Sequence, residues 1–199
     1  MNDTTLTPDQ LPQRSNTTLW LLLASFLVPA FLAYGYFFFG DRPSVASNGK
    51  LISPIVDIET LQLTDDTGRL LSREELTPKW RMYYFAGSSC DSACQSDLYD
   101  MRQINIALGK NQGRVQHVVV HLNAPDLDFM KLLGSEHKEA IRVYSTEENI
   151  SVLSKGDAAT SNIYLVDPLG NIMMMFPDEL NAKLILKDLN KLLKISRIG

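Results

Sequence analysis

The stretch WRMYYFAGSSCDSACQSDLYDMRQINIAL, residues 80–108, decides the fold. Its opening, WRMYYF (80–85), is aromatic-rich and reads as a buried strand. Ala86-Gly87-Ser88-Ser89 follows as a loop of small residues. A helix over 91–108 comes next, with Cys94, Leu98, Met101, Ile104 or Asn105, and Leu108 recurring at helical spacing. Of these only Asn105 is polar, and Gly109 lies just past the end, where a C-terminal glycine belongs. Cys90 and Cys94 therefore stand where a strand's C-terminal end passes into a helix, the end at which open α/β sheets carry their sites. Helix N-termini offer free N–H groups and a positive dipole end, and both stabilise a thiolate. The CxxxC spacing puts both sulfurs on one helical face once the turn forms. There they can close a disulfide or hold a soft ion such as Cu(I). Two small buried hydrophobes would give the same spacing; the position at the start of the helix favours a functional pair.

Outward from this core, residues 61–63 alternate as an edge strand, and Asp65-Asp66-Thr67-Gly68 is a turn. VQHVVVHL (115–122) is a second buried strand, and Asp126 caps a short helix through residue 133. Residues 142–144 read as a short strand and 147–153 as a short helix. Residues 163–166 and 172–176 are strands joined by Asp167-Pro168-Leu169-Gly170, which suits a type I turn followed by a bulge. The last helix spans 178–195, with Ala182, Ile185 or Leu186, Leu189, and Leu192 or Leu193 on one face and Lys183, Lys187, Lys191 and Lys194 on the other. The lysines read as a solvated face, with a weak lipid contact as the alternative. Strand–helix–strand units imply parallel pairs, and the closing hairpin makes the sheet mixed. The expected fold is α/β: a thioredoxin-like mixed sheet flanked by helices and preceded by one transmembrane helix.

That helix is LWLLLASFLVPAFLAYGYFFF, an uncharged run of 21 residues opening at Leu19 and closing at Phe39. At about 1.5 Å per residue it crosses a hydrocarbon core of roughly 30 Å. Pro29 is tolerated in a membrane helix, and Trp20, Tyr34 and Tyr36 fall near the interfaces. A cleaved signal peptide is the competing reading, but it would have a shorter apolar core and a basic start. Here Arg14 stands against Asp3 and Asp9, and the positive-inside rule is nearly silent on orientation. The organisation is a tail over 1–18, the anchor over 19–39, a linker over 40–49 and a thioredoxin-like domain over 50–199.

Composition bounds the chemistry. In 199 residues there is room for an anchor and one domain. A net charge of −4 gives no reason to expect nucleic acid. Two cysteines four positions apart are too few for a disulfide scaffold, and their bridge would constrain the unfolded chain little. His117 and His121 have the i, i+4 spacing of a helical metal site, but Val118-Val119-Val120 makes the segment a strand. On a strand they stand about 13 Å apart, so they read as histidines with ordinary partners at strand ends. His121 approaches the cysteines if it lies at the strand's C-terminal end. His137, among Glu136, Lys138 and Glu139, is expected to face solvent. Met173-Met174-Met175 invites a Cu(I) reading, but strand alternation sends Met174 opposite its neighbours, and core filling is the better account. No Gly-rich phosphate loop, HExxH or GxSxG occurs.

Phe85 just upstream of the CxxxC pair, VVVHLNAP (118–125) and YLVDPLG (164–170) together resemble the SCO/SenC family of thioredoxin-like proteins, in a diverged, membrane-anchored bacterial branch. The resemblance covers 51–199. It implies assembly of cytochrome c oxidase, in contact with an oxidase subunit or other assembly factors, from the periplasmic face of the bacterial inner membrane. It also implies copper held by the two cysteines and a histidine, or reduction of cysteines in the oxidase copper site. Three positions depart from the family pattern. The family histidine falls at Ala159, flanked by Ala158 and Thr160; Gln95 follows Cys94 where proline is usual; and no proline occurs near Thr160-Ser161-Asn162, where thioredoxins carry one. Without that histidine, the leading expectation is thiol–disulfide exchange, with Cys90 attacking and Cys94 resolving. The alternatives are Cu(I) carriage by Cys90 and Cys94, with a third ligand from His121, a methionine or the client, and an interaction module with a passive bridge.

Overall fold

The computed structural model describes residues 16–39, 47–153, 161–177, 181–196 and 198. The chain divides into two units, Met1–Ala46 and Ser47–Gly199. In the first, α1 (Thr17–Phe39) is one helix with Pro29 inside it and no charged residue in its first or last turn. It is long and apolar enough to cross a membrane, and its large apolar side chains are exposed.

The second unit contains β1 (Lys50–Asp57), α2 (Arg73–Leu76), β2 (Trp80–Ala86), α3 (Ser92–Ala107), β3 (Val115–His121), α4 (Leu127–Glu136), β4 (Ile141–Tyr144), α5 (Glu147–Ile150), β5 (Ile163–Val166), β6 (Asn171–Phe176) and α6 (Ala182–Ile195). Six strands form one mixed sheet in the order β1-β6-β5-β2-β3-β4. The β2–β3 and β3–β4 pairs are parallel; β2–β5, β5–β6 and β6–β1 are antiparallel. Strand alternation explains the complete burial of β2. Trp80, Met82 and Tyr84 face one core with α3, α4 and α6, while Tyr83 and Phe85 face a second core roofed by the short helices. A run apolar on both faces is what a central strand needs.

The helix over 91–108 is α3 with Asp91 as its N-cap and Leu108 as its C-cap. Asn105, the polar exception on its buried face, donates its amide to the carbonyl of Val115 at 2.7 Å, tying the end of α3 to the start of β3. Asp126 caps α4 through Phe129 N at 2.7 Å, and the helix continues to Glu136. The hairpin turn is as read: Asp167 accepts from Leu169 N and Asn171 N, and Gly170 supplies the positive φ of 92°.

Three expectations require correction. Residues 61–63 are not a strand; Ile58–Leu61 is a 3-10 helix and only Thr64 makes isolated bridges, because Leu61 and Leu63 are both drawn into the second core. The edge strand is instead β1, paired to β6. The methionine run does not alternate cleanly: Leu165 pairs with Met174 but Val166 with Ile172, so Met173 is the extra residue of a bulge and packs on the same core as Met174. The last helix is described from Ala182, with Asn181 as N-cap; residues 178–180 lie outside the described set. Its four lysines are exposed, as expected.

Candidate functional site

The chain leaves β2 at Ala86, which is in register with His121 at the end of β3. The loop that follows is held to the β3–α4 connection by two backbone bonds: Leu122 N donates to Ala86 O at 3.0 Å and Asp126 N to Ser88 O at 2.7 Å. The chain then turns into α3. Asp91 accepts the Cys94 amide on its side chain at 2.9 Å and the Gln95 amide on its carbonyl at 2.9 Å. Gln95 donates its side-chain amide back to the carbonyl of Cys90 at 3.0 Å, so the residue that stands in place of the family's proline fixes the loop by a hydrogen bond.

This scaffold brings the two cysteines together: their Cα atoms are 5.2 Å apart and the sulfurs are bridged. Burial distinguishes the two. Cys94 is 6% exposed within the first core, whereas Cys90 is only partly buried against it. Cys90 is thus the more accessible of the two, just before the helix N-terminus, where a thiolate is favoured. Ala159 and Thr160 lie outside the described residues; Ser161, just before β5, has a left-handed φ of 66°.

His121 lies at the C-terminal end of β3, where its ring is wedged between Phe129 and Tyr144 with centroids 5.1 and 5.3 Å away. It is 1% exposed, and neither ring nitrogen has a hydrogen-bond partner among the described residues. The expectation of ordinary partners fails for His117 as well, whose Nε2 is unpartnered. His137 is not solvent-facing: it is 5% exposed, because it closes α4 as C-cap and its ring is carried inward. Among the described residues, no group of three or more His, Cys, Asp or Glu is placed to hold a metal ion. Cys90 and Cys94 offer two sulfur donors once reduced, and no described His, Asp or Glu joins them in a group of three.

Burial shifts all three imidazoles toward the neutral form, His121 down to about 4, with Arg142 adding to the effect. The sign of the stability effect follows. Below the unfolded value of 6.5 the unfolded chain takes up these protons and the folded chain resists them, so stability falls as pH drops from 6.5 toward 4. His121 alone contributes about 3 kcal/mol over that window. Urea midpoints measured across this range should fall with acidity, and the slope should flatten in His121→Leu.

The residues 80–196, more than half of the chain, match the family described as transmembrane-like, thioredoxin-like, C-terminal domain. No curated protein matches the sequence. Among solved structures, yeast Sco1 with copper bound superposes with a TM-score of 0.56 at 17% identity, over 76% of this chain and 95% of that one. Apo Sco1 from Thermus thermophilus gives 0.54 at 14% identity, over 76% and 99%. A SCO1/SenC family lipoprotein from Bacillus anthracis gives 0.51 at 18% identity, over 71% and 99%. At these identities the likeness shows the fold alone, a shared thioredoxin-like fold. The chain belongs to the transmembrane-like, thioredoxin-like C-terminal domain family.

Proposed function

We propose that this protein is a membrane-anchored, SCO-like factor that serves cytochrome c oxidase assembly by thiol–disulfide exchange at Cys90 and Cys94. The observation that carries the reading is the cysteine pair itself: bridged, placed at the N-terminus of α3, with Cys90 only partly buried and Cys94 held in the core. In the reduced form, the Cys90 thiolate attacks a client disulfide, forming a mixed disulfide and releasing one client thiolate. Cys94 then loses its proton and attacks the Cys90 sulfur, releasing the second client thiolate and leaving the Cys90–Cys94 bridge. The client gains two electrons, which a dithiol reductant on the same side of the membrane restores to the pair. The uncharged α1 anchors the domain in a bacterial inner membrane, with the thioredoxin-like unit on the periplasmic side, where disulfides persist.

Cu(I) as cargo is the second reading, favoured by the shared fold of copper-bound yeast Sco1. In that case the third donor comes from His121, a methionine or the client. Replacing both cysteines with serine in cells distinguishes these readings from a passive interaction module. Membranes should lose oxidase activity if either reading holds, and should keep it if the bridge is passive.

A further inference from the structure

Charge is segregated on α6. The chain as a whole is acidic, with 23 Asp and Glu against 19 Lys and Arg. Yet Lys183, Lys187, Lys191 and Lys194 are all exposed on this helix, and by helical spacing they fall within an arc of about 80°. The one acid of the helix, Asp188, is 4% exposed and turned to the backbone of Asn48 and Gly49. Among the described residues no carboxylate pairs with any of the four lysines. The stripe ends on apolar side chains that water does not favour: Ile195 is 75% exposed and Ile198 52%. The turn presenting them is held in place by Arg114, which donates to the carbonyls of Leu193, Ser196 and Ile198 at 2.9, 2.9 and 3.0 Å.

We propose that the lysine face of α6, with Ile195 and Ile198 at its end, docks on a bilayer surface bearing anionic phospholipid. The proposal rests on the reading of α1 as a membrane anchor. Cations at headgroup level beside exposed aliphatic side chains are the composition of a surface that lies on a bilayer. The same helix also holds the chain that arrives from the anchor. Asp188 accepts from Asn48 N at 2.6 Å and Gly49 N at 3.1 Å, and Asn48 Nδ2 donates to the carbonyl of Leu184 at 3.5 Å. Ser47 is the eighth residue after Phe39, so a bilayer holding the apolar run lies within about 28 Å of this clamp, the longest that eight residues can reach. Attraction between exposed charges fades beyond a Debye length of about 10 Å at about 0.1 M salt. Four lysines hold a free domain weakly, but a tether makes the contact intramolecular and raises its effective concentration. An acidic protein would match the same charges; the anchor favours the lipid, because it supplies a bilayer at short range wherever the protein is inserted.

The test uses the full chain reconstituted in nanodiscs of phosphatidylcholine alone, or of phosphatidylcholine mixed with phosphatidylglycerol. Lysines are acetylated at trace level by a water-soluble reagent and each position is read by mass spectrometry. In the anionic discs Lys183, Lys187, Lys191 and Lys194 should react at least about threefold more slowly than in the neutral discs. Lys131 and Lys138, at α4 and just beyond it, should react equally in both. The protection should vanish at about 1 M salt, where the Debye length shrinks to about 3 Å. In a Lys187→Glu, Lys191→Glu variant, Lys183 and Lys194 should lose it as well; both substituted positions are exposed, and the wild-type comparison needs no substitution. Equal reactivity of the stripe in the two discs, or protection that survives high salt, overturns the docking and leaves the anchor standing. Protection that appears only when other membrane proteins are present assigns the face to an acidic protein and overturns it too. A chain that enters neither disc removes the anchor, and the docking with it.

Discussion

Cys90→Ser is expected to abolish reduction of a protein disulfide by the purified full chain, whereas Cys94→Ser should still make the first attack and stop at the mixed disulfide. The asymmetry follows from burial. Cys94 lies at 6% exposure among Leu98, Phe129 and the other residues of the first core, where a macromolecular client cannot reach its sulfur. Cys90 sits before the N-cap, outside the hydrogen-bonded helix, and is the sulfur a client meets. Removing the attacking thiol lowers the exchange rate by at least about a hundredfold, because serine is not a nucleophile toward disulfides near neutral pH. Stopped-flow reduction of a model disulfide separates the variants: no burst with Cys90→Ser, and with Cys94→Ser a single stoichiometric burst without turnover. A burst from Cys90→Ser would reverse the assignment of roles.

Asp188→Ala should lower the stability of the thioredoxin-like unit by about 3 kcal/mol, a fall in melting temperature of about 10 °C for a domain of this size. Asp188 is 4% exposed on α6, yet it is fully used. Its carboxylate accepts from Asn48 N at 2.6 Å, Gly49 N at 3.1 Å, Asn48 Nδ2 at 3.0 Å and Ser47 Oγ at 3.3 Å. Truncation strands backbone N–H groups beside the first core, where water does not replace the lost acceptor. The clamp also explains Gly49: a Cβ there would lie 2.5 Å from Phe176 and 2.6 Å from Met174, so the chain approaches the sheet only without a side chain. Asp188→Asn retains an acceptor and should lose only about 1 kcal/mol. Thermal melts of the three proteins check the order.

The central part of this fold is legible in the sequence because its local and tertiary demands agree. The aromatic run of β2, the small-residue loop, the Asp91 cap and the spacing of Leu98, Met101 and Leu108 all point to one strand–loop–helix, and the site rests on it. The Asp167–Gly170 turn is legible for the same reason, since its proline and glycine occupy positions that few other residues fill. What escapes the sequence is whatever depends on a distant partner. β1 (KLISPIVD) has no alternation and is mostly exposed; it is a strand only because β6 pairs with it. Asp188 looks like a surface acid on a lysine-rich helix until the backbone of residues 48–49 is seen to reach it. His137 stands among charged neighbours, and only the termination of α4 at that residue turns it inward. In the candidate site, the cysteine pair at the start of α3 was legible; the packing of His121 between Phe129 and Tyr144 was not, because it depends on residues of α4 and β4.

The most direct test of the exchange mechanism is capture of the client. Cys94→Ser in the full chain is expressed in the native membrane, thiols are alkylated in situ, and adducts are resolved without reductant and sequenced by mass spectrometry. The account predicts a disulfide joining Cys90 to a cysteine of an oxidase subunit, absent from Cys90→Ser. Recovery of Cys90 only as a free, alkylated thiol, with oxidase assembly unimpaired, would contradict it.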